Sequence, residues 1–225
     1  MNNEYLRNKL IVLVLSVLIP YSLYGEELKK QNKSPEGTTS FVDSINVETF
    51  TDSIDVTLED KLEGSRVETV LEEANKWVYR KKPFYDPSYM VITYPSGDIP
   101  DSIGVCTDLI IRSFRVIGID FQKDVHDYLN SNNNKNDVNI DHRRCTNLIE
   151  YLDNSNLFLR LDPKESYKKG DLIFWVLDNG KNHVGIVSDK KGKKNNLVLH
   201  HLYENPSEDD SLDSWKIIRH YRLAE

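Results

Sequence analysis

Apolar residues along this chain change their period once, near residue 157. Before that point they recur at helical spacing. In "LEDKLEGSRVETVLEEANKWVYRKK" the residues Val67, Val70, Leu71, Ala74, Trp77 and Val78 make one apolar stripe, which predicts an amphipathic helix ended by Pro83. "YDPSYMVITYPSGDIP" then reads as an extended segment with turns at Asp86-Pro87 and Pro95–Asp98. A second helix is predicted to start at or just after Cys106, with Leu109, Ile110, Phe114 and Ile117 inward and Gly118 closing it. Asp120 caps a short helix through Val125 and Leu129. "NSNNNKND" is a polar loop, and Thr146 is placed to cap a further helix with Leu148, Ile149 and Leu152 inward.

After residue 157 the texture becomes β. "DLIFWVL" and "HVGIVSD" are strand-like runs separated by Asp178-Asn179-Gly180, a hairpin signal. "NNLVLHHL" and "SWKIIRHYRL" read as two more strands, joined by a polar loop at "YENPSEDD". Helices followed by an antiparallel meander predict an α+β domain over residues 58–225.

The first residues follow another logic. Arg7 and Lys9 precede the apolar run "LIVLVLSVLI", and Pro20 and Gly25 stand ahead of acidic Glu26. A basic start, a short apolar run and a breaker before a small residue predict a secretion signal over residues 1–25, hence an exported protein, periplasmic or extracellular. The run is short of the roughly 20 residues of a membrane span. Leu23 is larger than the residue preferred near a cleavage point, which leaves an uncleaved anchor as the alternative. Residues 26–57 are polar and aperiodic, and read as a lead-in.

Charge narrows the partners. The chain carries 29 basic and 36 acidic residues, net −7. Without residues 1–25, which hold Arg7, Lys9 and Glu4, the balance is 27 against 35. Nothing here points to nucleic acid or to an anionic membrane surface.

The candidate chemistry centres on Cys106, one of only two cysteines. A cysteine at a helix N-terminus meets free N–H groups and the positive end of the helix dipole, which favour thiolate and can hold an oxyanion. A nucleophilic cysteine also needs a base. His183 opens one strand run and His200 ends the next, so an antiparallel pairing brings both to one end, as base and orienter. Three readings of the same residues compete: a small buried core cysteine, a disulfide with Cys145, and a metal site drawn from Cys106, His183, His200 or His201. The metal reading matches no compact zinc spacing. "NIDHRR" gathers Asp141, His142, Arg143 and Arg144, either as a solvated turn or as a cleft wall in which an arginine grips a substrate carboxylate.

The blocks "YDPSYMVITYPSGDIP", "GVCTDLIIRSFRVIGIDFQKDVHDYL", "NIDHRR", "GDLIFWVL", "NHVGIVSD" and "LVLHH" resemble, in order and spacing, a family of secreted bacterial proteins labelled domain of unknown function 1287, over about residues 65–223. That family in turn resembles the NlpC-type branch of the papain-like cysteine peptidases. The resemblance implies a papain-like fold, with the nucleophile at a helix N-terminus packed on a C-terminal antiparallel sheet. It implies Cys106 as nucleophile, His183 as base and His200 as orienter, with Tyr94 on the oxyanion side. It implies hydrolysis of an amide, peptidoglycan stem peptide being the expected substrate, without metal or organic cofactor. It also implies an aliphatic residue where this chain has Cys145, which argues against a bridge. Val105 replaces the branch's Asp before the nucleophile, and Asp108 follows instead. An acidic group on the first turn stabilises the helix but opposes a thiolate. "NIDHRR" has no counterpart in the wider branch, so Asp141, His142 and Arg143 are expected to shape substrate choice.

Overall fold

Residues 66–76 form helix α1, which loosens into a π-helical turn at Trp77–Lys81. Lys82 in the left-handed region and then Pro83 stop it. This is a computed structural model, and it describes residues 66–132 and 136–224. The expected secretion signal and lead-in lie outside the described residues. Helices α2 (Cys106–Arg115), α3 (Phe121–Ser131) and α4 (Cys145–Asn154) follow, with a 3-10 turn at Asp141–Arg143 before α4. Asp120 caps α3 by accepting from the N–H groups of Gln122 and Lys123. Gly118, at φ 85°, ends the α2 turn where a side chain would be strained. Helix α4 begins two residues earlier than the sequence suggests, with Arg144 rather than Thr146 as its N-cap. No helix among the described residues is long and apolar enough to cross a membrane.

Two-residue strands β1 (Phe84–Tyr85) and β2 (Ile103–Gly104) pair in parallel, Tyr85 opposite Gly104. The main sheet is antiparallel and built from β3 (Phe158–Leu161), β4 (Leu172–Val176), β5 (Asn182–Lys191), β6 (Asn196–His200), β7 (Ser207–Asp209) and β8 (Lys216–Leu223). The architecture is α+β, as expected, but not a plain meander. The order is β3-β8-β4-β5-β6-β7, so β8 returns to sit between β3 and β4. The supposed loop "YENPSEDD" contains β7, whose polar residues stand at a sheet edge where apolar alternation is not needed.

Strand β4 separates two apolar clusters. Leu172 and Phe174 join the helices in the main core with Phe114, Phe121, Leu148 and Tyr221, whereas Ile173 and Trp175 pack with Val187, Val198 and Leu212. Period-two alternation with both faces buried explains the near-continuous apolar run of β4. Gly185 lets β5 and β6 close up: a Cβ there would lie 2.6 Å from Val198 and 3.1 Å from the Cβ of His200.

The start of α2 is held by buried charge. Asp108 accepts from the N–H of Val105 at 2.8 Å and from Arg143 Nε at 2.9 Å and Nη2 at 3.1 Å. Arg143 also donates to the carbonyls of Ser88 and Asp86. Both charged side chains are at most 5% exposed. Burial pushes the Asp108 carboxyl up, and the arginine opposes it. One turn on, Arg112 lies 4.0 Å from the Trp77 ring and bonds Asp98 and three carbonyls. Arg143→Leu leaves the Asp108 carboxylate buried and unpaired, so urea unfolding is expected to show a loss of about 3–5 kcal/mol. Adding Asp108→Leu should recover part of it, and equal losses for single and double variants would contradict the pairing.

Candidate active site

Cys106 is the first residue of α2, and Cys145 is the first residue of α4. The two helix starts meet, with the sulfurs 3.8 Å apart and both thiols free and buried. Val105, extended at φ −132°, brings the chain into α2 and carries no side-chain oxygen to occupy the first-turn amides. The Cys106 N–H, the first of α2, has no intrahelical partner, as at any helix start. The Asp108 carboxylate does not oppose a thiolate in the way its position suggests, because Arg143 holds both its oxygens.

His183 opens the β5–β6 part of the sheet, and His200 ends β6, placed by the Gly185–His200 register. His183 Nε2 lies 2.8 Å from His200 Nδ1. His200 Nε2 lies 3.1 Å from both carboxylate oxygens of Asp209 on β7. Both imidazoles are buried, and Trp175 stacks on His183 at 5.7 Å while Trp215 closes the edge. Partial burial raises the Asp209 carboxyl, but hydrogen bonds with His200, Ser211 and Ser207 outweigh it and hold it down to about 2.

An ionised carboxylate only accepts, so the chain of proton positions is set from its far end. His200 Nε2 carries a proton toward Asp209, and His200 Nδ1 must then accept. His183 Nε2 donates to it, which leaves His183 Nδ1 as the nitrogen outside this chain of bonds. The Cys106 thiol stands well below its ordinary value: the Cys145 hydrogen bond lowers it, burial opposes, and the His183 hydrogen bond and charge lower it further. Cys145 moves the opposite way, raised by its bond to Cys106 and by burial. Of the two thiols, Cys106 is therefore the more readily ionised.

The sulfurs open on a cavity of about 360 Å³ lined by Tyr85, Arg143, Thr146, Lys181 and Asn182 among others. Lys181 of the β4–β5 turn and Asn182, the first residue of β5, form one rim. Tyr85 reaches the cavity because β1 pairs with β2 two residues ahead of the nucleophile. Burial, then the charges of Cys106 and Cys145, raise its phenol and keep it an O–H donor.

Not every expected residue is here. Tyr94 is absent from the lining: its hydroxyl bonds Asp127 on α3 at 3.0 Å and its ring meets His126, because the turn it sits on packs against that helix. The tyrosine that lines the cavity is Tyr85. Arg143 lines the cavity, but Asp108 and two carbonyls occupy its guanidinium, so it shapes the wall rather than offering a free fork. Asp141 is buried and bonds the Asp137 N–H and Asn147, and buried His142 is pushed down to about 4 by burial and then by Arg143; neither lines this cavity. Among the described residues no His, Cys, Asp or Glu cluster is arranged to hold a metal ion. Asp209 and Tyr85 escaped the sequence reading, and Cys145, weighed there as a disulfide partner, is a free thiol beside Cys106. The acidic "SEDD" nine positions beyond His200 was the available signal for Asp209.

The family described as "Domain of unknown function (DUF1287)" matches residues 71–223. The chain is also similar to "Uncharacterized protein YijF" of Escherichia coli (strain K12), 38% identical over 150 residues, which are 62% of this chain and 73% of that protein. The match spans every element that builds the cavity, from Tyr85 to Asp209, and the chain belongs to the DUF1287 family.

Proposed function

We propose that this protein is an exported thiol hydrolase that cleaves an amide bond, with peptidoglycan stem peptide as its substrate and a papain-like fold of the NlpC type as its scaffold. The observation that carries the reading is the hydrogen-bonded line His183–His200–Asp209, with the His183 imidazole lowering the Cys106 thiol at an open cavity. A structural cysteine needs none of these partners.

In this reading His183 Nδ1 takes the Cys106 proton, and the sulfur attacks the amide carbonyl in the cavity. The carbonyl oxygen becomes an oxyanion within reach of the Cys106 N–H, with the Tyr85 hydroxyl as second donor. His183 returns the proton to the leaving amine, and water hydrolyses the thioester. His200 and Asp209 keep the imidazole in one tautomer throughout. The step calls for no metal or organic cofactor. The substrate class rests on the family resemblance and the expected export signal. Binding to the wall without cleavage is the competing outcome.

Mass spectrometry of purified muropeptides incubated with the protein is expected to reveal new peptide fragments, reduced by about 10³-fold or more in Cys106→Ala. No fragment between about pH 5 and pH 9 would refute the cell-wall reading. The lowered thiol pKa predicts a pH dependence independent of substrate. Thiolate forms as pH rises through the pKa, so iodoacetamide labelling of Cys106 should reach half-maximum below the ordinary value of about 8.5. His183→Ala should move that midpoint upward, and an unmoved midpoint would count against His183 as a cause of the lowered thiol. Asp209→Asn, whose amide can donate to His200 and invert the tautomers, should lower turnover by about 10²-fold with folding intact.

A further inference from the structure

We infer that Cys106 and Cys145 form a reversible redox pair, in which Cys145 resolves the oxidised nucleophile into a disulfide. The chain has two cysteines in all, so an intramolecular bridge has one partner choice. The sulfurs are 3.8 Å apart although the residues are 39 positions apart. A disulfide bond of about 2.05 Å requires a further approach of about 1.8 Å, which small rotations of two adjacent side chains supply. The two helix starts that carry them are tied together by Arg143, two residues before Cys145, and Asp108, two residues after Cys106. The pair is therefore presented at short range by the fold itself. Both sulfurs line one open cavity, so a small oxidant reaches them by the route the substrate takes. The two thiols are not equivalent: His183 and the contact with Cys145 lower the Cys106 thiol, whereas the same contact and burial raise that of Cys145. That asymmetry is the one found where an attacking and a resolving cysteine share a site.

The oxidant is hydrogen peroxide. The Cys106 thiolate attacks one peroxide oxygen, the O–O bond breaks, and hydroxide leaves and becomes water with the proton held by His183. Cys106 is now a sulfenic acid. The Cys145 sulfur attacks the Cys106 sulfur, the S–O bond breaks, and the departing hydroxyl takes the Cys145 proton as a second water. Two electrons leave the sulfur pair and reduce the peroxide to two waters. The bridged Cys106 has no thiolate and no hydrolysis is open to it until a dithiol restores it. Only this last consequence rests on the proposed hydrolase reading; the bridge itself does not.

The test uses the full chain, reduced, freed of reductant, exposed to hydrogen peroxide and then blocked with iodoacetamide. Intact mass and peptide mapping are expected to show both thiols lost together, a mass lower by two hydrogens, and the Cys106 and Cys145 peptides linked within one chain. Dithiothreitol should restore both alkylatable thiols. In Cys145→Ser, and in Cys145→Ala as a second variant, dimedone should trap a sulfenic acid on Cys106. Longer exposure should then give sulfinic acid that dithiothreitol does not reverse. Sulfinic acid on Cys106 of the unaltered chain with Cys145 still alkylatable would overturn the proposal. So would bridging only between chains, or survival of both thiols at a peroxide dose that oxidises Cys106 in Cys145→Ser. Because thiols are counted rather than turnover, the result stands apart from whether muropeptides are cleaved.

Discussion

The buried pair of Asp108 and Arg143 is the constraint on which the cavity depends. Asp108 belongs to the first turn of α2 and Arg143 to the turn that leads into α4. Their bond therefore sets the distance between two helix N-termini, each of which begins with a cysteine. Arg143 reaches further, to the carbonyls of Asp86 and Ser88, and so ties down the segment that presents Tyr85. A single guanidinium thus positions three walls of one site. Burying such a pair gives little net stability, since desolvation of both charges offsets most of their attraction. Its value here lies in geometry. It also removes the penalty that an acidic residue on the first turn would impose on a nearby thiolate, because the carboxylate charge is matched where it arises.

On the sheet side, position comes from register rather than from charge. His200 stands opposite Gly185, and His183 opposite Trp175, so the two imidazoles meet at one end of β5 and β6. The missing Cβ at Gly185 allows the approach. Strand β7 adds Asp209 at the far end. The carboxylate does not touch the cysteine, yet it decides which nitrogen of His183 is free. A proton position is transmitted through two rings because each has one donor and one acceptor in its neutral form.

Much of this was legible in the sequence, and the exceptions have physical causes. The helical stripe of α1 and the start of α2 at Cys106 follow from hydrophobic period and turn residues. So do the Asp120 cap and the strands around His183 and His200. These are local signals, set within a few residues. Strand β7 was invisible because an edge strand of three polar residues has no hydrophobic alternation to betray it. Tyr94, which the family resemblance puts at the site, lies elsewhere: spacing along the chain says nothing of where a turn packs. The two-residue parallel bridge that brings Tyr85 beside Gly104 is a tertiary event. The free guanidinium expected of "NIDHRR" was lost for the same reason: its partner Asp108 lies 35 residues away.

The pairing of the two cysteines follows from this same non-local geometry, and it carries a consequence for the electrostatics of the cavity. Helices α2 and α4 both aim their N-termini at the sulfur pair. Each start brings unpaired N–H groups and partial positive charge, so the field at the cavity floor is that of two dipoles. A negative sulfur at Cys106 relieves it, as does a developing oxyanion in its place. A carboxylate at position 145 would answer the same field, but it would sit against the thiolate and raise its pKa. A thiol that stays protonated avoids that conflict: it donates to the Cys106 sulfur and adds no second charge. The residue that makes the nucleophile easier to ionise is therefore also the one best placed to capture it once oxidised, because both roles need only a neutral sulfur at contact distance.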